Sequence, residues 1–154
     1  MIAVIQRVKR ASVVIDGEIT GKCEKGLMIL LGVADGDDNS DAEALVAKIS
    51  KLRIFCDESG KMNLSLKDVS GGALVVSNFT LLANYVKGNR PDYFGAAKPE
   101  EADRLYKYFG SLLEKEISPV EYGVFGADME VTIVNDGPVT IVMDSKVLKT
   151  KKNP

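Results

Sequence analysis

Apolar and polar positions alternate in two runs near the C-terminal end of the chain. Met129, Val131 and Ile133 share one face of the first run, and Val139, Ile141 and Met143 share one face of the second. That period of two predicts strands. Between the runs stands Asn135-Asp136-Gly137-Pro138. Asp-Gly between two strand patterns reads as a tight turn. The proline that follows removes a backbone donor where a hairpin ladder would begin, and it makes a cis peptide affordable at that one bond. The pattern therefore predicts a strand pair joined by a rigid bend with bare carbonyls at its tip.

The same reading places strands at 1–8, 11–15 and 18–24, with Asp16-Gly17 as the turn of a polar hairpin. Residues 27–34 are almost all apolar, as in a central strand covered on both faces. The acidic stretch Asp35-Gly36-Asp37-Asp38-Asn39 lacks the spacing and distal glutamate of a calcium loop, and it reads as a solvated loop. Ser40 and Glu43 form a capping-box pattern, so a helix is expected from Asp41, with Leu45, Val46, Ile49 and Leu52 facing inward. Short strands follow at 53–56 and 73–76. Pro99 with Glu100, Glu101 and Asp103 opens a second helix whose inward residues are Leu105, Tyr108, Phe109, Leu112, Leu113 and Ile117. A strand at 120–125 precedes the opening motif, and the basic residues 146–154 read as a frayed end. The expected fold is one α+β domain, 1–154: a curved, mostly antiparallel, barrel-like sheet with two main helices.

Composition changes the picture mainly through one absence. The chain of 154 residues contains no histidine, which excludes His-based triads, Cys–His pairs and His-containing zinc sites. Cys23 and Cys56 are too few for a disulfide framework or a Cys-rich metal centre. Neither a metal nor a cofactor is expected, and catalysis falls to hydroxyls, carboxylates, lysines, backbone groups or the substrate itself. A net charge of −2 argues against bulk adhesion to nucleic acid or membrane, though not against a local basic patch. No apolar run reaches the roughly 18 residues that span a bilayer, and the first residues lack the layout of a signal peptide. A cytoplasmic protein is expected.

Two further stretches carry candidate chemistry. Ser77-Asn78-Phe79-Thr80-Leu81 follows an apolar strand at its carboxyl end, where sites are often built. Thr80 has no conventional base, but backbone N–H groups at such a strand end could hold an oxyanion. Residues 83–98 form a long irregular stretch with Tyr85, Tyr93, Phe94, Lys87, Arg90 and Lys98. Rings interleaved with cations suit single-stranded nucleic acid.

Taken together, Ser77-Asn78-Phe79-Thr80-Leu81 and Asn135-Asp136-Gly137-Pro138-Val139-Thr140 resemble the signature pair of the D-aminoacyl-tRNA deacylase family. The resemblance extends to Ala3-Val4-Ile5-Gln6-Arg7-Val8, Lys87-Gly88-Asn89-Arg90-Pro91 and Phe125-Gly126-Ala127-Asp128-Met129. One departure is Asn78, where the family usually has glutamine. The resemblance implies a homodimeric hydrolase that cleaves the ester between a D-amino acid and the terminal adenosine of tRNA, and that also clears glycine mischarged on tRNA for alanine. It implies a cis Gly137–Pro138 bond inserted into the partner's pocket, with both carbonyls facing the substrate ammonium. It assigns Arg7 to bracing that loop, Phe79, Phe125 and Met129 to lining the pocket, and Ser77, Asn78 and Thr80 to the reacting ester. Whether Thr80 is nucleophile or positioner stays open. No membrane or DNA partner is implied. Two other readings compete: a non-catalytic RNA-binding module using residues 83–98, and a threonine-nucleophile hydrolase of small esters or amides.

Overall fold

The first strand organises the sheet. In the computed structural model, which describes residues 1–150, β1 runs unbroken over Ile2–Ile15 instead of as two strands. Its buried side chains are Ala3, Ile5, Val8, Ala11 and Val13. Ala3 and Ile5 face one side of the sheet and Val8 the other, in step with strand alternation, but Val8, Ala11 and Val13 share a side, so the phase slips once, between Val8 and Ala11, where the pairing with the last strand is also irregular. A turn at Asp16 and Gly17 leads into β2 (Glu18–Cys23), antiparallel to the far end of β1. Next comes β3 (Gly26–Gly32), antiparallel to the near end of β1. After α1 (Asn39–Ile49), the two short strands β4 (Phe55–Cys56) and β5 (Met62–Leu64) pair with each other. Then β6 (Gly72–Ser77) joins β3 in parallel, α2 (Pro99–Glu114) crosses over, and β7 (Val120–Tyr122) joins β6 in parallel. The last strand, β8 (Glu130–Asp144), pairs antiparallel along β1, and α3 (Ser145–Thr150) follows it.

The sheet is mixed: the three pairings of β1 are antiparallel, as the patterning predicted for most of the sheet, while β3 with β6 and β6 with β7 are parallel. The reason is the crossover: a strand that leaves and returns through a helix comes back parallel. Order along the sheet is β2-β1-β3-β6-β7, with β8 on β1. The two ends of that path nearly close. The Lys22 N–H donates to Glu121 Oε2 at 2.6 Å, joining β2 to β7. A side chain at Gly21 would collide with the Tyr122 carbonyl, so only glycine allows this approach.

One apolar cluster fills the space between sheet and helices. It includes Ala3, Ile5, Leu27, Ile29 and Leu31 from the sheet, Leu45 and Ile49 from α1, and Leu105, Phe109 and Leu113 from α2. A second cluster on the other side of the sheet holds Val8, Ala11, Val13, Cys23, Met28, Leu74 and Val76. Both β3 and β6 feed the two clusters with alternate residues, which is why their sequences are apolar throughout. The inward face of α2 carries Tyr106, 4% exposed, whose hydroxyl donates to the Val75 carbonyl at 2.8 Å. Tyr108 and Leu112, expected there, are only partly buried.

Three local expectations give way at the helix ends. The cap of α1 is Asp38, not Ser40: Asp38 accepts from the Ser40 N–H, and Asp41 accepts from the Asp38 N–H at 2.9 Å. Asp37, placed in a solvated loop by its neighbours, is 7% exposed and pairs with the Met1 ammonium at 2.7 Å. The tail expected to fray is helical as α3, while residues 151–154 lie outside the described residues. Ser145, fully buried, explains why: its hydroxyl donates to Asp41 Oδ1 at 2.7 Å, tying α3 to the start of α1.

Burial works to raise the Asp41 pKa, but the Asp38 N–H, the Ser145 hydroxyl and the Lys149 ammonium outweigh it and bring the group to about 2. A carboxylate held below its unfolded value stabilises the fold above that value and stops doing so as pH falls through the folded one. Urea midpoints should therefore drop between about pH 4 and pH 2. The Asp41→Asn variant should be less stable at neutral pH and should lose part of that acid dependence; an unchanged acid profile would remove Asp41 from it.

Candidate active site

Ser77 ends β6, and the chain turns at once into a single 3-10 turn, Phe79–Leu82. Extension stops because the Asn78 N–H crosses back to the Leu31 carbonyl at 2.8 Å and the Leu81 N–H then closes on Asn78. The N–H groups of Phe79 and Thr80 have no acceptor among the described residues, as expected at the first turn of a helix. Both point of departure and direction are thus set by β3 and β6, the two most buried strands.

Ser77, Asn78, Phe79 and Thr80 form one wall of a cavity of about 850 Å³, and Phe125 and Met129 stand in another. Phe79 is 56% exposed and meets Tyr93 edge to face, with ring centroids 5.0 Å apart. The Thr80 hydroxyl donates to Asn78 Oδ1 at 2.5 Å. A carboxamide oxygen does not take a proton near neutral pH, so this contact orients Thr80 without activating it. Asn78 in turn spends its side-chain oxygen inside the motif. The two thiols offer no substitute nucleophile in the cavity. Cys23 is buried in the second apolar cluster, where burial and the charge of Glu24 push its thiol up to about 11. Cys56 is exposed beside Arg7.

Leu30, Val33, Val76, Val131 and Asp128 also line the cavity, though none of them was among the expected site residues. Those residues carry no signal of their own beyond strand periodicity. Tyr93 and Phe94 lay within the irregular stretch already noted for its rings. A second cavity of about 600 Å³ between α2 and β7 shares Phe125 and contains Tyr106, Glu114 and Tyr122. Burial first, then the neighbouring carboxylates, raise both tyrosines above the usual phenol range, so neither supplies a base.

Arg7, Gly137 and Pro138 are not in the cavity wall. They form a separate assembly, and here the hairpin expectation is overturned. Gln6 faces Thr140 and Val8 faces Asn135. Between those pairs β1 spends only Arg7, while β8 spends residues 136–139. The motif is a wide bulge in one long strand, because both flanks pair with β1 in the same direction. The Gly137–Pro138 peptide is cis, and both residues are exposed. Asn135 closes the bulge from below: its amide donates to the carbonyls of Arg7 and Val139 at 3.2 and 3.0 Å, and its oxygen accepts from the Val139 N–H at 3.1 Å. Arg7, opposite the bulge, donates through Nε to the Asp136 carbonyl at 2.9 Å and through its terminal nitrogen to the Ile54 carbonyl at 2.7 Å. A Cβ at Gly137 would collide with the Val139 backbone. Six residues separate Val131 in the cavity from Gly137 along β8, roughly 20 Å of extended strand.

A nearly closed mixed sheet with a strand-end pocket and a distant backbone loop places the chain among α+β proteins that share this barrel. Residues 4–144 match the model of the D-Tyr-tRNA(Tyr) deacylase family. The chain is 58% identical over 146 residues to the D-aminoacyl-tRNA deacylase of Caldicellulosiruptor saccharolyticus, covering 95% of this chain and 98% of the relative. It is 53% identical over 148 residues to that of a Sulfurihydrogenibium species, covering 96% and 100%. Among solved structures it is similar to the c-Myc DNA Unwinding Element Binding Protein, with a TM-score of 0.89, 44% identity and coverage of 94% and 98%. A probable eukaryotic D-amino acid tRNA deacylase shares the fold at a TM-score of 0.79 and 16% identity, covering 93% and 98%. The chain belongs to the D-Tyr-tRNA(Tyr) deacylase family.

The bulge gives a test of the geometry independent of activity. Asn135→Ala removes the groups that bridge its two ends. It should cost about 1–3 kcal/mol in urea unfolding, the penalty for leaving buried polar groups unpaired. Amide exchange at Val139 should rise by more than exchange at Ile5. Equal protection at Val139 in both proteins would show that the bulge holds its shape without Asn135.

Proposed function

We propose that this chain hydrolyses D-aminoacyl-tRNA, releasing the free D-amino acid and the tRNA. The observation that carries the reading is the grouping of Ser77, Asn78, Phe79, Thr80, Phe125 and Met129 around one cavity in a chain of this family. About 850 Å³ suits a nucleoside bearing an amino acid. Phe125 and Met129 offer apolar surface to the adenine, and Phe79 and Thr80 bring free N–H groups to the ester.

The reaction adds water to the ester carbonyl and expels the ribose hydroxyl. With no histidine and with Thr80 bonded to Asn78, water is the nucleophile and the neighbouring ribose 2′-hydroxyl assists its proton transfer. The Phe79 and Thr80 N–H groups stabilise the oxyanion as it forms. Ser77 and Asn78 hold this turn in place. The threonine nucleophile of the rival hydrolase reading has no base on which to run.

Selectivity for handedness needs a wall that this cavity lacks. The exposed Gly137 and Pro138 carbonyls supply it from a second copy of the chain, in a two-fold homodimer. Those carbonyls accept from the substrate ammonium. Once ammonium and ester are fixed, an L side chain runs into the Gly–Pro wall, whereas a D side chain points out. Glycine, with no side chain, passes the same filter, so glycyl-tRNA mischarged for alanine is a second substrate. Arg7 and Asn135 keep the loop stiff. One domain spanning 1–154 suffices for this, acting in the cytoplasm where charged tRNA is used.

D-Tyr-tRNA should be deacylated and L-Tyr-tRNA spared, while sedimentation gives a dimer; an active, D-selective monomer at micromolar concentration would overturn the shared site. Thr80→Ala should lower kcat by no more than roughly tenfold, the worth of one neutral hydrogen bond. A covalent aminoacyl ester on Thr80, seen by mass spectrometry, would make threonine the nucleophile instead. Single-turnover rates should show no imidazole-like step between about pH 6 and 7; a step there would assign the base to a displaced carboxylate or the substrate ammonium.

A further inference from the structure

The stretch between Thr80 and Gly95 carries the three most exposed large apolar side chains among the described residues, and the chemistry above leaves its outer part unused. It leaves the cavity at the 3-10 turn Phe79–Leu82 and returns to it at Tyr93 and Phe94. In between, Asn84 and Asp92 pinch its neck with paired backbone bonds of 2.8 and 2.9 Å, and the Asn84 amide donates to Asp92 Oδ2 at 3.1 Å. The Val86 and Phe94 N–H groups donate to the side chains of Asn84 and Asp92, each at 3.3 Å. Beyond the neck, the Asp35 N–H donates to the Gly95 carbonyl and the Ala97 N–H to the Val33 carbonyl, each at 2.9 Å, fastening the return to the end of β3. The loop is therefore a held projection and not a loose strand of chain.

Its tip and rim are the wrong chemistry for open water. Tyr85 is 77% exposed, Val86 83% and Phe94 92%. Lys87, Arg90 and Lys98 stand among them and form no ion pair among the described residues. The one acid in the loop, Asp92, is already occupied by Asn84 and the Phe94 N–H. Flat rings beside unpaired cations, on a chain whose net charge is −2, make a local site for a polyanion with faces to stack.

We propose that residues 84–94 form the platform for the unpaired nucleotides that precede the terminal adenosine of the substrate tRNA. Tyr85 and Phe94 stack on their bases, and Lys87 and Arg90 meet their phosphates. The proposal rests on the reading of the adjoining cavity as the adenosine site. With the terminal nucleoside in the cavity, the strand must leave over its rim, and Phe94 is at that rim. Any base has a face, so this recognition is indifferent to the identity of the tRNA.

The test compares two substrates, D-tyrosyl-tRNA and the D-tyrosyl ester of adenosine alone, in Tyr85→Ala and in the double variant Lys87→Gln/Arg90→Gln. Each variant should lose roughly tenfold or more in kcat/KM on the tRNA, the worth of one stacked base or its phosphate contacts, and less than about twofold on the adenosine ester. The double variant should also flatten the salt dependence of binding by about 1.4 in the log–log slope, two single-strand phosphate contacts. A fluorescein-labelled single-stranded RNA ending in CCA provides a binding readout that needs no hydrolysis. Weaker RNA binding in the variants supports the platform even if the wild type cleaves neither ester, and that combination overturns the proposed activity instead. Equal losses on both esters, unchanged rates on both, or a variant that sediments as a monomer would overturn the platform; the last would make this loop a contact between copies of the chain.

Discussion

The pairing of β1 with β8 is the constraint on which the candidate site depends. A single long strand accepts β8 along nearly its whole length, and the register on either side of Arg7 differs by the residues of the bulge. Because the ladder resumes on both sides, the bulge has nowhere to relax. It must project, and its direction is set by whatever holds its base. Asn135 and Arg7 do that from within, one through its carboxamide and the other through its guanidinium. The Gly137–Pro138 carbonyls are thus presented by hydrogen bonds that lie behind them, in the sheet.

The cavity motif rests on β3 and β6. Their alternating residues are shared between two apolar clusters, so neither strand can shift without opening one of them. Ser77 to Thr80 emerge from the end of β6, and Asn78 is tied back to Leu31 of β3. Backbone donors held this way do not have to be gathered when charge develops on a substrate oxygen, which is the condition for electrostatic stabilisation to be effective. A site without histidine depends on that kind of preorganisation more than one that carries its own base.

These two assemblies stand apart within one copy, and the separation explains a feature of the sequence that is otherwise odd. Gly137 and Pro138 are exposed and backbone-rich, yet among the described residues they line neither of the two cavities above. A motif of that kind is costly to keep on a surface unless something docks there. Its stiffness and exposure are the features on which the composite pocket proposed above draws.

Much of this was legible in the residues. Periodicity located the strands at both ends, the inward face of α1 and part of that of α2, because burial on one side writes itself into local spacing. Of the residues the resemblance assigned to a site, Ser77 to Thr80, Phe125 and Met129 line one cavity, while Arg7, Gly137 and Pro138 lie apart from it. What local pattern could not decide was partnership. Asp-Gly-Pro reads as a corner in isolation, and only the fact that both flanks find β1 makes it a bulge. The spacing of Ser40 and Glu43 put the cap of α1 at Ser40, but Asp38 with Asp41 caps it, and Ser145 and Lys149, more than a hundred residues away, hold Asp41 there. Asp37 looked solvated among acidic neighbours and is buried against Met1. The parallel pairing of β3, β6 and β7 follows from crossovers that no window of a few residues contains. Amino-acid order alone determined most of which segments are strand or helix and which side chains are candidates for chemistry, since both are read from near neighbours. The tertiary structure decided which segments meet, because that choice is made by contacts between residues far apart in the chain.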